Sequence, residues 1–277
     1  MGRHELEKLW HDALASPSEE RFDEVARSVV EVYTSDARFR ELIKNRSKRV
    51  TTRTGVLFDP DNLEIESARA FVADEIGFTS WDDLIVAIGL PEEKSILFRY
   101  AIAAMERGDF TSLEEAIGAE GFHDQIVEWY ESGMFNGEQE TLNEILSAAC
   151  MLGQTNTAEY LIDRGVDPYA GMRTWLAGPH YGVSSGRLET VKMLIDMNVP
   201  LEVENKYGGT MLGQALWSAI NEHTDDHAEI IEILLKAGAV VEPGTSEWWE
   251  QQNVPSSETK ERVAKALRDA ERANTGC

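Results

Sequence analysis

Covalent anchors and basic charge are both scarce in this chain. Cysteine occurs only twice in 277 residues, at Cys150 and Cys277, with no CxxC pair. That argues against a disulfide framework and against a cysteine zinc site. Cys150 sits in the apolar stretch Ser147–Leu152 and reads as core. Proline occurs eight times, so long proline-rich linkers are absent. No run approaches the roughly 18 apolar residues of a membrane span. Met1–Trp10 is mostly charged and has no apolar signal region, so a cytoplasmic protein is expected. Lys and Arg number 26 against 50 Asp and Glu, a net charge of -24. Nucleic acid and anionic membrane surfaces are bound by neutralising negative charge, so neither is expected as a partner. An acidic chain is kept soluble by its charge and steers basic partners toward itself.

What is present is helix after helix. Leu6, Leu9, Trp10 and Ala13 recur at helical spacing over residues 3–14. Ser16-Pro17-Ser18-Glu19 reads as a capping box with Pro at the first helical position, opening a helix whose apolar face carries Phe22, Val25, Ala26, Val29, Val30 and Tyr33. A further helix is expected near 36–45. Residues 46–63 look irregular, with the β-branched run Thr51–Phe58 suited to extended chain. A helix over 64–76 should stop at Gly77, and Ser80 should cap the next.

A period of 33 residues then appears. It separates Gly153 from Gly186 and Leu161-Ile162 from Leu194-Ile195. Leu234 follows Leu194 by 40, which leaves about seven inserted residues, centred on Glu222–His227. The exits from these segments carry Gly165, Asn198 and Gly238 at matched positions, the residue types that tolerate a left-handed backbone. A weaker copy opens at Tyr100–Phe110, with Thr111 and Glu114 read as a capping box. Ile117–Glu140 looks irregular, and Ser257–Arg272 reads as a polar terminal helix. Trp248-Trp249 should pack beneath it.

The lines Gly153–Asp167, Gly186–Leu201 and Ala228–Val241 resemble the second helix and exit loop of ankyrin repeats, whose period is about 33 residues. Gly208-Gly209-Thr210-Met211-Leu212-Gly213-Gln214-Ala215 resembles the ankyrin G-x-T-P-L-H-x-A signature, with Met211 in place of Pro and Gly213 in place of His. Ser67–Leu84, with Gly77-Phe78 and Ser80-Trp81, is similar to a module that precedes the repeats in bacterial ankyrin-repeat proteins. The resemblance implies an all-α fold: an N-terminal helical region (1–92), then an ankyrin-repeat solenoid of about four helix pairs with a capping helix (93–277). It also implies binding through turn fingers and the first-helix face, here Met172, Arg173, Trp175, Tyr181, Lys206, Tyr207, Gln214 and Trp217. Aromatics and arginine are the types that carry interface energy.

Catalytic signals are sparse. No phosphate-binding loop, dinucleotide fingerprint or nucleophile elbow occurs around Ser184-Ser185. His223 and His227 stand four apart, as helical metal ligands do, yet fall in the insertion without the glutamate of H-E-x-x-H. His180 reads as a first-helix histidine bonded to neighbouring backbone. Lys44, Arg46, Lys48, Arg49 and Arg53 form a basic cluster that either touches nucleic acid or pairs with acid elsewhere in the chain. The expectation is a monomeric protein-binding module with no cofactor, no metal and no enzymatic activity. Its partner is another protein, one that a basic surface would suit. Two alternatives are an acidic inhibitor or immunity protein masking a basic enzyme, and an enzyme with its site in residues 1–92.

Overall fold

A computed structural model describes residues 2–59, 61–89, 96–171, 175–222 and 224–275. The described residues are all-helical, with no strand among them. No described helix is long and apolar enough to cross a membrane. The chain divides into two compact units, ending and beginning at Gly118 and Ala119. The boundary expected at residue 92 lies outside the described residues.

Among the described residues the first unit holds seven helices: α1 (Arg3–Ala15), α2 (Glu19–Ser35), α3 (Ala37–Thr54), α4 (Ile65–Ile76), α5 (Trp81–Ile88), α6 (Ile96–Arg107) and α7 (Phe110–Ile117). Helix α4 lies at its centre, packed on α2, α3, α5 and α6. Ala68, Ala70 and Ala73 let these neighbours approach closely, and Phe22, Val25, Val29, Ile43, Val72 and Ile76 fill the space between. Gly77 ends α4 with φ 94°, and Ser80 caps α5 by accepting from Asp83 N–H. Phe78 is buried in the turn between them, under the Arg99 guanidinium.

Three local expectations are corrected here. Ser18, not Ser16, caps α2: its backbone is extended and its Oγ accepts from Arg21 N–H, which leaves Pro17 outside the helix. Helix α3 continues through the run expected to be irregular and stops only at Gly55, φ 73°. The hydroxyls of Thr52 and Thr54 bond back to Lys48 and Val50 carbonyls at 2.8 Å. Arg46, Arg49 and Arg53, spaced three and four apart, meet acids of α4, and this tertiary pairing overrides the weak helix preference of threonine. Asp109, rather than Thr111, caps α7 by accepting from Ser112 N–H.

The second unit holds α8 (Phe122–Glu131), α9 (Gln139–Leu152), α10 (Thr155–Asp163), α11 (Gly178–Ser184), α12 (Leu188–Asp196), α13 (Met211–Asn221), α14 (His227–Lys236), α15 (Thr245–Glu250) and α16 (Ser257–Thr275). Helix α8 lies in a stretch expected to be irregular. Its Phe122, Ile126 and Trp129 form one buried stripe. Helix α9 packs on α11 and α11 on α13, while α10 packs on α12 and α12 on α14. Leu161, Leu194 and Leu234 are fully buried in the second row. Each of these leucines also accepts a backbone bond from the residue just past its left-handed exit: Val166, Val199 and Ala239, at 3.1, 3.0 and 3.0 Å. The exits themselves are Gly165 (φ 84°), Asn198 (φ 56°) and Gly238 (φ 95°). Trp249 is completely buried against α16 and donates to the Lys260 carbonyl, whereas Trp248 is 44% exposed.

Candidate binding groove

Between α11, α13 and the loop that leads into α13 lies a groove of about 620 Å³, lined by Leu176, Tyr207, Trp217 and a set of polar side chains. Its shape follows from missing side chains as much as from present ones. Gly208, Gly209 and Gly213 line it. A Cβ added at Gly213 would meet only Thr210, at 3.6 Å, so the space beyond is open.

The loop is tied by Asn205. Its Oδ1 accepts from the N–H groups of Tyr207 (2.8 Å) and Gly209 (3.0 Å), while its own N–H donates to the Gly209 carbonyl. This side-chain-to-backbone turn presents Tyr207 outward, 75% exposed. The Tyr207 ring stacks on Trp175, centroids 5.8 Å apart and planes 28° off parallel. Lys206 Nζ lies 5.2 Å from the Trp175 ring centroid, and Lys206 N–H donates to the Trp175 carbonyl. Trp175 has φ 80°, a strained conformation for a bulky residue, and these contacts offset its cost.

Beneath the aromatics runs a chain of hydrogen bonds. Asn205 Nδ2 donates to Gln214 Oε1 (3.1 Å), Gln214 Nε2 to Ser218 Oγ (3.1 Å), Ser218 Oγ to Ser184 Oγ (3.3 Å), and Ser184 Oγ to Glu222 Oε2 (2.8 Å). Its direction is fixed from both ends. Asn205 Oδ1 is committed to backbone N–H groups, so its amide nitrogen faces Gln214. The Glu222 carboxylate only accepts, so Ser184 must donate to it and accept from Ser218. Asn205, Gln214 and Ser218 are buried; Glu222 is exposed.

Two histidines brace the scaffold. His180 is fully buried, with Nε2 3.0 Å from the Val203 carbonyl, and burial lowers its pKa below the ordinary value. Its neutral ring holds the loop strand on α11. His227 is also fully buried. Its Nδ1 accepts from Thr224 N–H at 3.0 Å, so Nε2 carries the hydrogen and shares it between the carbonyls of Val183 and Ser184, both 3.2 Å away. Those carbonyls end α11, where Val183 also accepts from Gly186 N–H at 3.1 Å, so the imidazole adds a second donor at this helix end. His227 is therefore engaged with backbone on both ring nitrogens rather than placed as a metal ligand. His223 lies outside the described residues, and no cluster of metal-ligand type occurs among the described ones.

Of the binding residues expected from sequence, Trp175, Lys206, Tyr207, Gln214 and Trp217 meet at or beside this groove. Gln214 is on its floor rather than on its surface. Tyr181 is half-buried on α11 and is not among the lining residues. Met172 and Arg173 lie outside the described residues. Asn205, Ser218 and Glu222 were not anticipated, and Ser184 only as a non-nucleophile. Nothing in the local sequence marks them, because two helices and a loop bring them together.

The basic cluster of the first unit is paired. Arg46 reaches Glu75 (2.7 Å) and Asp109 (3.5 Å), Arg49 reaches Asp74 (2.7 Å) and Glu75, Arg53 reaches Asp74 (3.3 Å), and Lys44 reaches Asp61 (3.6 Å). Lys48 is exposed. A cleft of about 350 Å³ beside this network is lined by Trp10, Arg46, Glu75, Tyr100 and Asp109, among others. Burial pushes the Tyr100 hydroxyl up to about 12, so it stays protonated there at neutral pH.

No protein-family model matches this chain, and no curated protein matches it.

Proposed function

We propose that this protein is a protein-interaction module of the ankyrin-repeat type, and that the groove formed by α11, α13 and the 205–209 loop is where the partner docks. The ankyrin reading is supported by the 33-residue spacing, by three matched left-handed exits and by the row-on-row packing of α9 to α14. The docking reading rests chiefly on one observation. Tyr207 and Trp217, 75% and 51% exposed, line one concave surface, and Trp175, 53% exposed, stacks on Tyr207 beside it. Clustered aromatics beside a pocket are where binding energy concentrates. In this reading the protein works as a monomer, without cofactor or catalytic step.

The charge favours a basic partner, and so keeps the inhibitor reading in view. Residues 119–277 carry 26 acidic and 11 basic side chains. The test is quantitative capture by the purified chain, with cross-linking and mass spectrometry to identify partners. Replacing Trp175, Tyr207 and Trp217 together by serine should abolish capture while circular dichroism stays unchanged. Unchanged capture by that folded variant would overturn the docking reading.

A further inference from the structure

We propose that the groove takes a single positively charged side chain, arginine or lysine, from its protein partner, with the cationic head on Glu222 and the aliphatic stem along Trp217 and Tyr207. This rests on the docking reading above and specifies what it recognises.

Three observations carry it. First, Glu222 is the only ionisable acid or base among the described lining residues apart from the Tyr207 phenol. Among the described lining residues the groove thus presents one full charge, and it is negative. Second, the hydrogen-bond chain spends its donors in one direction. Asn205, Gln214, Ser218 and Ser184 each donate toward Glu222, and the last bond falls on Oε2. Such a chain polarises along its length and fixes the orientation of the carboxylate. Oε1 has no hydrogen-bond partner among the described residues and remains to accept from a ligand. Third, the flanking surface is aromatic. Trp217 and Tyr207 are largely exposed and border the same space, and indole and phenol faces attract cations. Lys206 does not fill this role, because it is held over Trp175. Charge complementarity extends outward, since the surrounding unit is strongly acidic and would steer a basic segment inward.

The experiment uses the full chain and three small probes, N-acetyl-argininamide, N-acetyl-lysinamide and N-acetyl-citrullinamide. Citrulline keeps the shape of arginine without its charge. Signals of the Trp217 indole and of the Gly208, Gly209 and Gly213 amides are followed by nuclear magnetic resonance at low salt. At least one cation should shift them saturably, and citrullinamide should bind about tenfold more weakly, the usual worth of a charged hydrogen bond. Glu222→Gln keeps an oxygen for Ser184 and so preserves the hydrogen-bond chain. It should reduce the cation to the affinity of citrullinamide without altering the rest of the spectrum. Equal binding of citrullinamide, or full cation binding by Glu222→Gln, would overturn the assignment. So would silence from all three probes. None of these outcomes touches the docking reading, which stands or falls on capture by the triple-serine variant.

Discussion

Arg49 approaches the fully buried carboxylate of Asp74 to 2.7 Å, bridging α3 and α4 across the centre of the first unit. Removing one partner of such a pair leaves a desolvated charge. Arg53 remains 3.3 Å from the same carboxylate and softens the loss. Arg49→Leu should therefore cost about 3 kcal/mol, near the low end for a broken buried pair. Urea denaturation measures the total, and hydrogen exchange should show the loss in α3 and α4. Adding Asp74→Leu to Arg49→Leu should recover most of it, because Glu75, the other acid that Arg49 reaches, keeps Arg46 and Arg107 and no buried carboxylate is then left stranded.

The buried His180 makes stability depend on pH. Burial depresses its pKa in the folded chain relative to the ordinary 6.5. As pH falls through 6.5, the unfolded chain takes up a proton that the folded chain refuses, so stability is lost going down in pH and is complete above that value. The urea midpoint should fall between about pH 7.5 and about pH 5.5, before carboxylates begin to titrate. His180→Gln retains an N–H donor for the Val203 carbonyl and should flatten that slope. An unchanged slope would assign the effect to another group.

Two left-handed glycines make opposite demands on space. A Cβ at Gly165 would meet nothing within 4 Å, whereas at Gly186 it would lie 2.2 Å from Thr224 Oγ1. Both alanine variants suffer the backbone penalty of about 1 kcal/mol. Gly186→Ala must also displace Thr224, which holds His227, and should lose about 2 kcal/mol more, a typical cost of overpacking. Thermal denaturation of the two single variants checks the ranking.

Gly213 separates occupancy of the groove from stability. It lies in the first turn of α13, exposed and with open space beside it. Gly213→Leu should hold or raise stability, by up to about 1 kcal/mol from reduced unfolded-state freedom, while filling the groove. Loss of probe binding in a variant that melts no lower than the parent is the expected result. Retained binding would place the ligand elsewhere.

Much of the helical plan was legible because it is written locally. Gly165, Asn198 and Gly238 announce their exits by residue type and spacing, and Gly77 and Ser80 mark a turn by the ordinary chemistry of caps. Residues 46–54 were misread because their helix is held by Asp74 and Glu75, more than twenty positions away. Trp175, Tyr207 and Trp217 are singled out in the sequence by family resemblance, and the structure places them at or beside one groove. Its polar floor is not so marked, since Ser184 and Glu222 are 38 residues apart and meet only after two helix pairs have packed.

The connection between α13 and α14 breaks the even spacing, and it is not slack. It is fastened at one end by Ser184 on Glu222 and at the other by Thr224 and His227 against the end of α11. A connection trimmed to regular length would lack Glu222 and Thr224, and His227 at the start of α14 would lose the N–H that orients its ring. The groove would lose the one anion among its described lining residues, and the Ser184 and Val183 carbonyls would lose the held imidazole, with Val183 keeping only Gly186 N–H. A version of this chain with that connection shortened would therefore be expected to erase the feature that gives this surface its charge.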